Sequence, residues 1–323
     1  MSVLPYAAYV LCAGVVGYWN NIAPPGSPDY TPVPKHHFRA LFENDSVSGS
    51  DCNYTHGTRI DYAQLMSNND AWCLSLTQNI YTPETHAYHK VTRQHPYCGY
   101  LALGAGYIMR GENIGCSTEL QVGMTGKPSL AGEMQNRLHE VFHMETWNGW
   151  HDQIRSEATV QLTSRQDFLV PWLSYTPTPG WQTDGLFYLR ESVGTFNISG
   201  TAGLSFRFGH NLPPTSQVTG NNAAVYGLGS LITPSYRRED CSYFIVLEGA
   251  VSYVARDMPL EGGVFHSYES TCTRVPWQPE GRAGFCLIYH GVEYYAGAFV
   301  RNRTYKSQDK NSVLGNFTIT WHW

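Results

Sequence analysis

Residues Gly315 to Trp323 read GNFTITWHW and end the chain. Phe317, Ile319, Trp321 and Trp323 fall on one face of an extended strand; Asn316, Thr318, Thr320 and His322 fall on the other. An apolar face, a polar face and a terminal aromatic residue describe a strand with lipid on one side and a polar lumen on the other. The alternation recurs at Tyr243, Ile245, Leu247, Gly249, Val251 and Tyr253, at Phe285, Leu287 and Tyr289, and at Leu101, Leu103, Ala105, Tyr107 and Met109.

Outward from this strand, the pattern predicts twelve strands: 36–43, 54–66, 72–82, 97–109, 116–124, 152–163, 184–192, 196–208, 243–256, 279–290, 292–305 and 315–323. The expected fold is all-β, a transmembrane antiparallel β-barrel of about twelve strands with a short helix at the extracellular rim. An even count leaves both chain ends on the same side. Turn chemistry marks Ser67-Asn68-Asn69-Asp70, Arg110-Gly111-Glu112-Asn113 and Ser164-Arg165-Gln166-Asp167, and 168–183 and 210–240 read as long turns.

Composition agrees. The 323 residues are 15% charged and 14% aromatic, with 22 Tyr and 31 Gly, and the mean hydropathy is −0.31. A soluble β-sandwich of this length would carry more charge. The net charge of −5 and the lack of a basic tract exclude a nucleic-acid partner. Residues 3–19 are apolar, but the first basic residue is Lys35, so they read as a signal-like segment without its positive start, with a single anchoring helix as the rival. Residues 23–34 (APPGSPDYTPVP) read as a linker. The chain thus divides into residues 1–34 and a barrel domain, 35–323, expected to be a monomer. Cys12, Cys52, Cys73, Cys98, Cys116, Cys241, Cys272 and Cys286 lack CxxC spacing, which argues against a zinc or redox motif. They read as small apolar side chains, with disulfide pairing left open.

One stretch departs from the strand pattern. Ser129 to Met144 reads SLAGEMQNRLHEVFHM, with Ser129 placed to cap a helix and Leu130, Met134, Leu138 and Val141 on one face. Gln135 and His139 are four residues apart and stack one turn from each other. An amide can hold one imidazole nitrogen, or the scissile group, while the other nitrogen acts as a base. The plain alternative is a surface helix with a solvated Gln and His. A His139/His143 zinc pair is a lesser one, since no HExxH pattern surrounds it. Glu145 and Trp147-Asn148-Gly149-Trp150-His151-Asp152-Gln153 follow. If the first strand runs outward, Asn44-Asp45, Tyr54-Thr55-His56-Gly57, Tyr81-Thr82-Pro83 and this helix all meet at the extracellular rim. No GxSxG elbow is present, so a water nucleophile is favoured over an acyl-enzyme.

These segments occur in an order that resembles the outer-membrane lipid A 3′-O-deacylases and related bacterial proteins. The resemblance is carried by Glu43-Asn44-Asp45, Tyr54-Thr55-His56-Gly57, Gln78-Asn79-Ile80-Tyr81-Thr82-Pro83, Pro96-Tyr97-Cys98-Gly99-Tyr100, and Gln135…His139…Glu145…Gly149-Trp150-His151-Asp152-Gln153. Gly200 to Leu212 and Glu248 to Phe265 extend it, from about residue 38 to the C-terminus. It implies a twelve-stranded barrel in the bacterial outer membrane with its active site facing outside. It also implies calcium-dependent hydrolysis that removes the 3′-acyloxyacyl group of lipid A, making lipopolysaccharide the partner. His139 matches the catalytic histidine and Gln135 its neighbour. Asn44, Asp45 and Thr55 match polar active-site residues, and Glu145 an acidic residue at the calcium site. Asp45, Glu145 and Asn44 would then give oxygen ligands to Ca2+, while Gln135, Thr55 and Asn44 orient water or the oxyanion. The chain departs from the family where Arg-Pro-Tyr-Ala-Gly becomes His95-Pro96-Tyr97-Cys98-Gly99 and where Trp147 replaces a tyrosine. Lys90 lies two residues out of register with a family lysine. Lys90 and Trp147 are the expected substrate contacts, and Lys90, Arg93 and Arg137 the candidate partners for phosphate. The alternatives are a non-enzymatic outer-membrane barrel of the same fold and an outer-membrane phospholipase.

Overall fold

A computed structural model describes residues 34–48, 52–66, 70–85, 92–111, 113–141, 143–213, 241–266, 268 and 270–323. Its strands are β1 (His36–Asn44), β2 (Asn53–Leu65), β3 (Asp70–Thr82), β4 (Cys98–Arg110), β5 (Ile114–Thr125), β6 (Ala158–Leu169), β7 (Tyr175–Thr178), β8 (Trp181–Gly194), β9 (Asn197–His210), β10 (Ser242–Asp257), β11 (Trp277–Tyr289), β12 (Val292–Arg301) and β13 (Ser312–His322). All pair antiparallel with their neighbours. β1 pairs with β13, and β6 pairs with β8, so twelve strands close a ring and the short β7 hangs on β8 outside it. His36 N donates to Trp323 O at 2.9 Å and Trp323 N to His36 O at 3.0 Å, which ties the two ends of the barrel domain together at one rim.

The alternation sorts each wall strand into two faces. Outward positions are apolar and exposed, as at Leu74, Leu103, Val122, Leu204, Leu247 and Phe317. Aromatic residues gather at both rims: Trp72, Trp181, Tyr243, Trp321 and Trp323 at the end with the chain termini, and Tyr253 and Trp277 at the other. Inward positions are buried; many are polar, and the charged ones among them pair, with apolar clusters such as Phe244, Val246, Cys286 and Ile288 between. Arg39 contacts Asp61 at 2.6 Å, and Arg59 bridges Asp61 and Glu119 at 2.8 Å each. Arg282 lies 3.5 Å from Glu248, whose Oε1 accepts the Tyr188 hydroxyl at 2.6 Å. A buried charge without a partner costs several kcal/mol, so the lumen holds its charges as a chain of alternating sign.

The expected strands are found with one displacement. β6 starts at Ala158, six residues later than the sequence suggests, and Ser164-Arg165-Gln166-Asp167 is strand rather than turn. The reason is the lumen. Arg165 Nε donates to Asp167 Oδ1 at 2.8 Å inside the barrel, so these polar side chains face a polar interior rather than solvent. The long turn at 168–183 contains a 3-10 turn, Pro171–Leu173, and β7. The loop at 110–113 is closed by Gly111 N donating to Ile114 O at 2.7 Å. Residues 67–69, most of the long turn at 210–240, Cys12 and the signal-like segment lie outside the described residues. The seven described cysteines are free thiols, and Cys73, Cys98, Cys116 and Cys286 are buried in the wall.

Candidate functional site

The helix predicted after β5 is α1, Ala131–Val141, preceded by a 3-10 turn, Lys127–Ser129. Leu130 joins the two in the left-handed region (φ 57°). Ser129 stands at the helix start, but its Oγ mainly donates to Gly126 O (2.6 Å) and lies 3.4 Å from Ala131 N. The helix packs on the outside of the barrel wall. Its neighbours are Ile80 on β3 and Gly99 on β4, both outward positions, and Gln78 Nε2 donates to Ser129 O at 2.8 Å. Any side chain at Gly99 would collide with Ser129 and Ala131, so the glycine permits the contact.

The face of α1 turned to the wall carries Ala131, Gln135 and His139, all buried. His139 Nδ1 lies 2.6 Å from Glu145 O. A carbonyl can only accept, so the proton of the neutral imidazole sits on Nδ1 and the lone pair on Nε2. Gln135 Oε1 accepts the indole N–H of Trp150 at 3.0 Å, which fixes the amide and turns its NH2 away from the indole. Trp150 rests on Gly132, where an added Cβ would lie 2.8 Å from Trp150 Cγ, and against Tyr97 with ring centroids 5.1 Å apart. The loop after the helix is held by a reciprocal pair: Trp147 N donates to Asn136 Oδ1 (2.9 Å) and Asn136 Nδ2 to Trp147 O (3.1 Å). Trp147 is 1% exposed and packs edge-on to Tyr97, beneath the helix.

The strand-borne candidates reach the same rim. The register aligns Asn44 of β1 with His56 of β2, His56 with Ile80 of β3, and Ile80 with Gly99 of β4. Asn44 is therefore two inter-strand steps, roughly 10 Å, from the wall residue beneath Trp147 and Trp150. Thr55 is the extra residue of a β-bulge between Tyr54 and His56, and its Oγ1 lies 2.6 Å from Thr82 Oγ1. A bulge re-aims one side chain, and nothing in the local sequence marks it. Asn44 Oδ1 accepts Ser46 N at 2.7 Å. Asp45, in the 3-10 turn Asp45–Ser48, is buried, and its Oδ2 accepts Cys52 N at 2.7 Å. His95, ahead of β4, stacks on Tyr81; burial pulls its pKa down to about 4, against the opposing hydrogen bond to Pro96 O.

Three features of the sequence reading need placing. Glu145 is exposed, and its main-chain oxygen, not its carboxylate, is the atom seen to hold His139. Lys90 lies outside the described residues. Among the described residues, no group of three or more His, Cys, Asp or Glu side chains comes together. The oxygen donors of Asp45, Asn44 and Glu145 suit a hard cation in type, and they sit on the β1 rim and the loop after α1. Beyond the sequence reading, a cleft of about 520 Å³ opens on the other side of Trp150, and its lining includes Lys127, Glu133, Asn136, Gln153 and Arg155. Lys127 and Arg155 lie 28 residues apart in sequence, and no periodicity links them.

The chain superposes on the structure of LpxR from Salmonella typhimurium with a TM-score of 0.78 at 15% identity, covering 89% of this chain and 100% of that one. The β-domain of the Bordetella autotransporter BrkA gives 0.45 at 10% identity over 90% and 99% of the two chains. The NalP translocator domain from Neisseria meningitidis gives 0.45 at 10% over 99% and 97%. No curated protein sequence matches the chain. The family described as "Outer membrane protein LpxR" matches residues 7–323, nearly the whole length, and the chain belongs to that family.

Proposed function

We propose that the protein is an outer-membrane ester hydrolase that removes the 3′-acyloxyacyl group of lipid A in the outer leaflet. The observation that carries this reading is the 2.6 Å contact of His139 Nδ1 with Glu145 O. With Nδ1–H held by Glu145 O, Nε2 is left as the basic nitrogen, on a helix face turned to the lipid side of the wall. Nε2 takes a proton from water as the water oxygen attacks the acyl carbonyl carbon. The tetrahedral oxyanion then collapses, the ester C–O bond breaks, and the imidazolium returns its proton to the departing sugar oxygen. Gln135 and Asn44 have their amide oxygens engaged by Trp150 and Ser46, so each turns an NH2 donor to its other side. That suits both to the oxyanion. The Thr55 hydroxyl, aimed by its bulge, completes the donor set.

Asp45 and Glu145, with main-chain carbonyls, are the groups that would hold Ca2+, and a bound calcium ion would supply positive charge at the ester carbonyl. Lys127 and Arg155 in the cleft beyond Trp150 are suited to a phosphate of the same substrate, and Arg137, exposed on α1, does not line that cleft. Trp147, buried beneath the helix, would act through the position of α1 rather than by touching substrate.

Mass spectrometry of lipid A incubated with the refolded barrel, with calcium and then with a chelator, tests the proposal. The expected result is calcium-dependent loss of one acyloxyacyl unit that His139→Ala abolishes. No mass change from a folded barrel would overturn it, and hydrolysis of phospholipid alone would transfer the same machinery to that substrate.

A further inference from the structure

The apolar stripe of α1 is not the face that packs. Leu130 is 54% exposed, Met134 40% and Val141 69%, with Leu138 half-buried between them. At about 100° per residue, Met134, Leu138 and Val141 flank the wall face of Ala131, Gln135 and His139, with Leu130 just ahead of the helix, while Glu133, Arg137 and Glu140 occupy the outermost side. A water-soluble protein would bury such a stripe in its core.

On the outer surface, the register stacks Leu76, Leu103 and Val122 in one row across β3, β4 and β5, and Gln78, Leu101 and Met124 in the next row toward the rim. Leu76, Leu103, Val122 and Met124 are exposed, as a lipid-facing band requires. The row after that holds Ile80 and Gly99, where α1 sits. Two residues of strand rise about 7 Å, so the helix lies a single pleat above the apolar band. Gln78, in the row between, is bonded to Ser129 at the foot of the helix.

We propose that α1 is an interfacial helix whose Leu130–Met134–Leu138–Val141 flank is covered by the acyl chains of leaflet lipids. The flank carries no charge and continues the barrel's own lipid-facing surface, while Glu133, Arg137 and Glu140 are set toward headgroups and water. His139 is thereby held at the boundary between chain and headgroup, where the ester bonds of a membrane lipid lie. The contact does not depend on the reaction assigned to His139.

Site-specific photo-cross-linking tests this without reading activity. Benzoylphenylalanine is placed singly at Met134, Val141, Glu133 or Glu140 in the full chain, refolded into phosphatidylcholine vesicles and irradiated. Folding is checked by the gel shift on heating. Lipid adducts by mass at 134 and 141, several-fold above those at 133 and 140, are expected. Equal yields at all four positions, no lipid adduct at 134 and 141, or protein–protein adducts there in place of lipid would each overturn the assignment.

Discussion

Trp150→Phe isolates the hydrogen bond that orients Gln135. The substitution keeps a ring against Gly132 and Tyr97 but removes the N–H that Gln135 Oε1 accepts at 3.0 Å. Gln135 is 3% exposed, so bulk water has little access to the donor's place. Leaving a buried acceptor unsatisfied costs about 1–3 kcal/mol. The amide can relieve this by turning over, which exchanges its oxygen and NH2 and presents an acceptor where a donor is needed. If the loss is felt in the transition state, kcat falls about 5- to 150-fold. KM should change little, because the indole N–H does not point at substrate in this scheme. The assay is the initial rate of acyloxyacyl release by mass spectrometry, run on wild type, Trp150→Phe, Gln135→Ala and the double variant. Since the indole acts through the amide, Trp150→Phe should have no further effect once Gln135 is alanine. A wild-type kcat in Trp150→Phe, or an equal loss in both backgrounds, would refute the reasoning.

Three further outcomes are expected. His95 is neutral in the folded protein, with a pKa of about 4 against the ordinary 6.5, so its contribution to stability is full above about pH 6.5 and is lost as pH falls toward 4. The loss amounts to about 3 kcal/mol, and denaturant titrations across that range should show it in wild type and not in His95→Phe. Arg59→Ala strands Glu119 and should cost about 3–5 kcal/mol, lowering the midpoint of the heat-induced gel shift. Arg59→Met with Glu119→Leu leaves the Arg39–Asp61 pair neutral and should recover most of that loss. Lys127→Ala and Arg155→Ala should each raise KM for phosphorylated lipid A about two- to fivefold, the worth of an exposed ion pair, and leave KM for the dephosphorylated lipid unchanged.

The barrel is legible in the sequence because the wall strands repeat one two-residue period, and lipid outside with polar groups inside keeps that period over most of their length, with breaks at Thr55 and between Val254 and Arg256. It blurs at Ser164-Arg165-Gln166-Asp167, where Arg165 and Asp167 pair in the lumen and Ser164 and Gln166 bond each other on the opposite face, so the run has the composition of a turn. Gln135 and His139 stand out because four-residue spacing on a helix is local. The Trp150–Gln135 bond and the Thr55 bulge are less visible, since each depends on how separate segments meet. The α1 stripe shows a different limit. Periodicity finds Leu130, Met134, Leu138 and Val141 on one face, but the period is the same whether that face meets a protein core or something else.

The filled lumen has an electrical consequence. Arg59, Arg207, Tyr100, Tyr188 and Tyr295 are each less than 2% exposed, and their side chains occupy the space that a porin leaves to water. A barrel packed this way should behave as an insulator, because the described lumen side chains fill the axis that ions would follow. Many copies could sit in a membrane without short-circuiting the gradients across it, and in a planar bilayer the protein should insert without producing current steps.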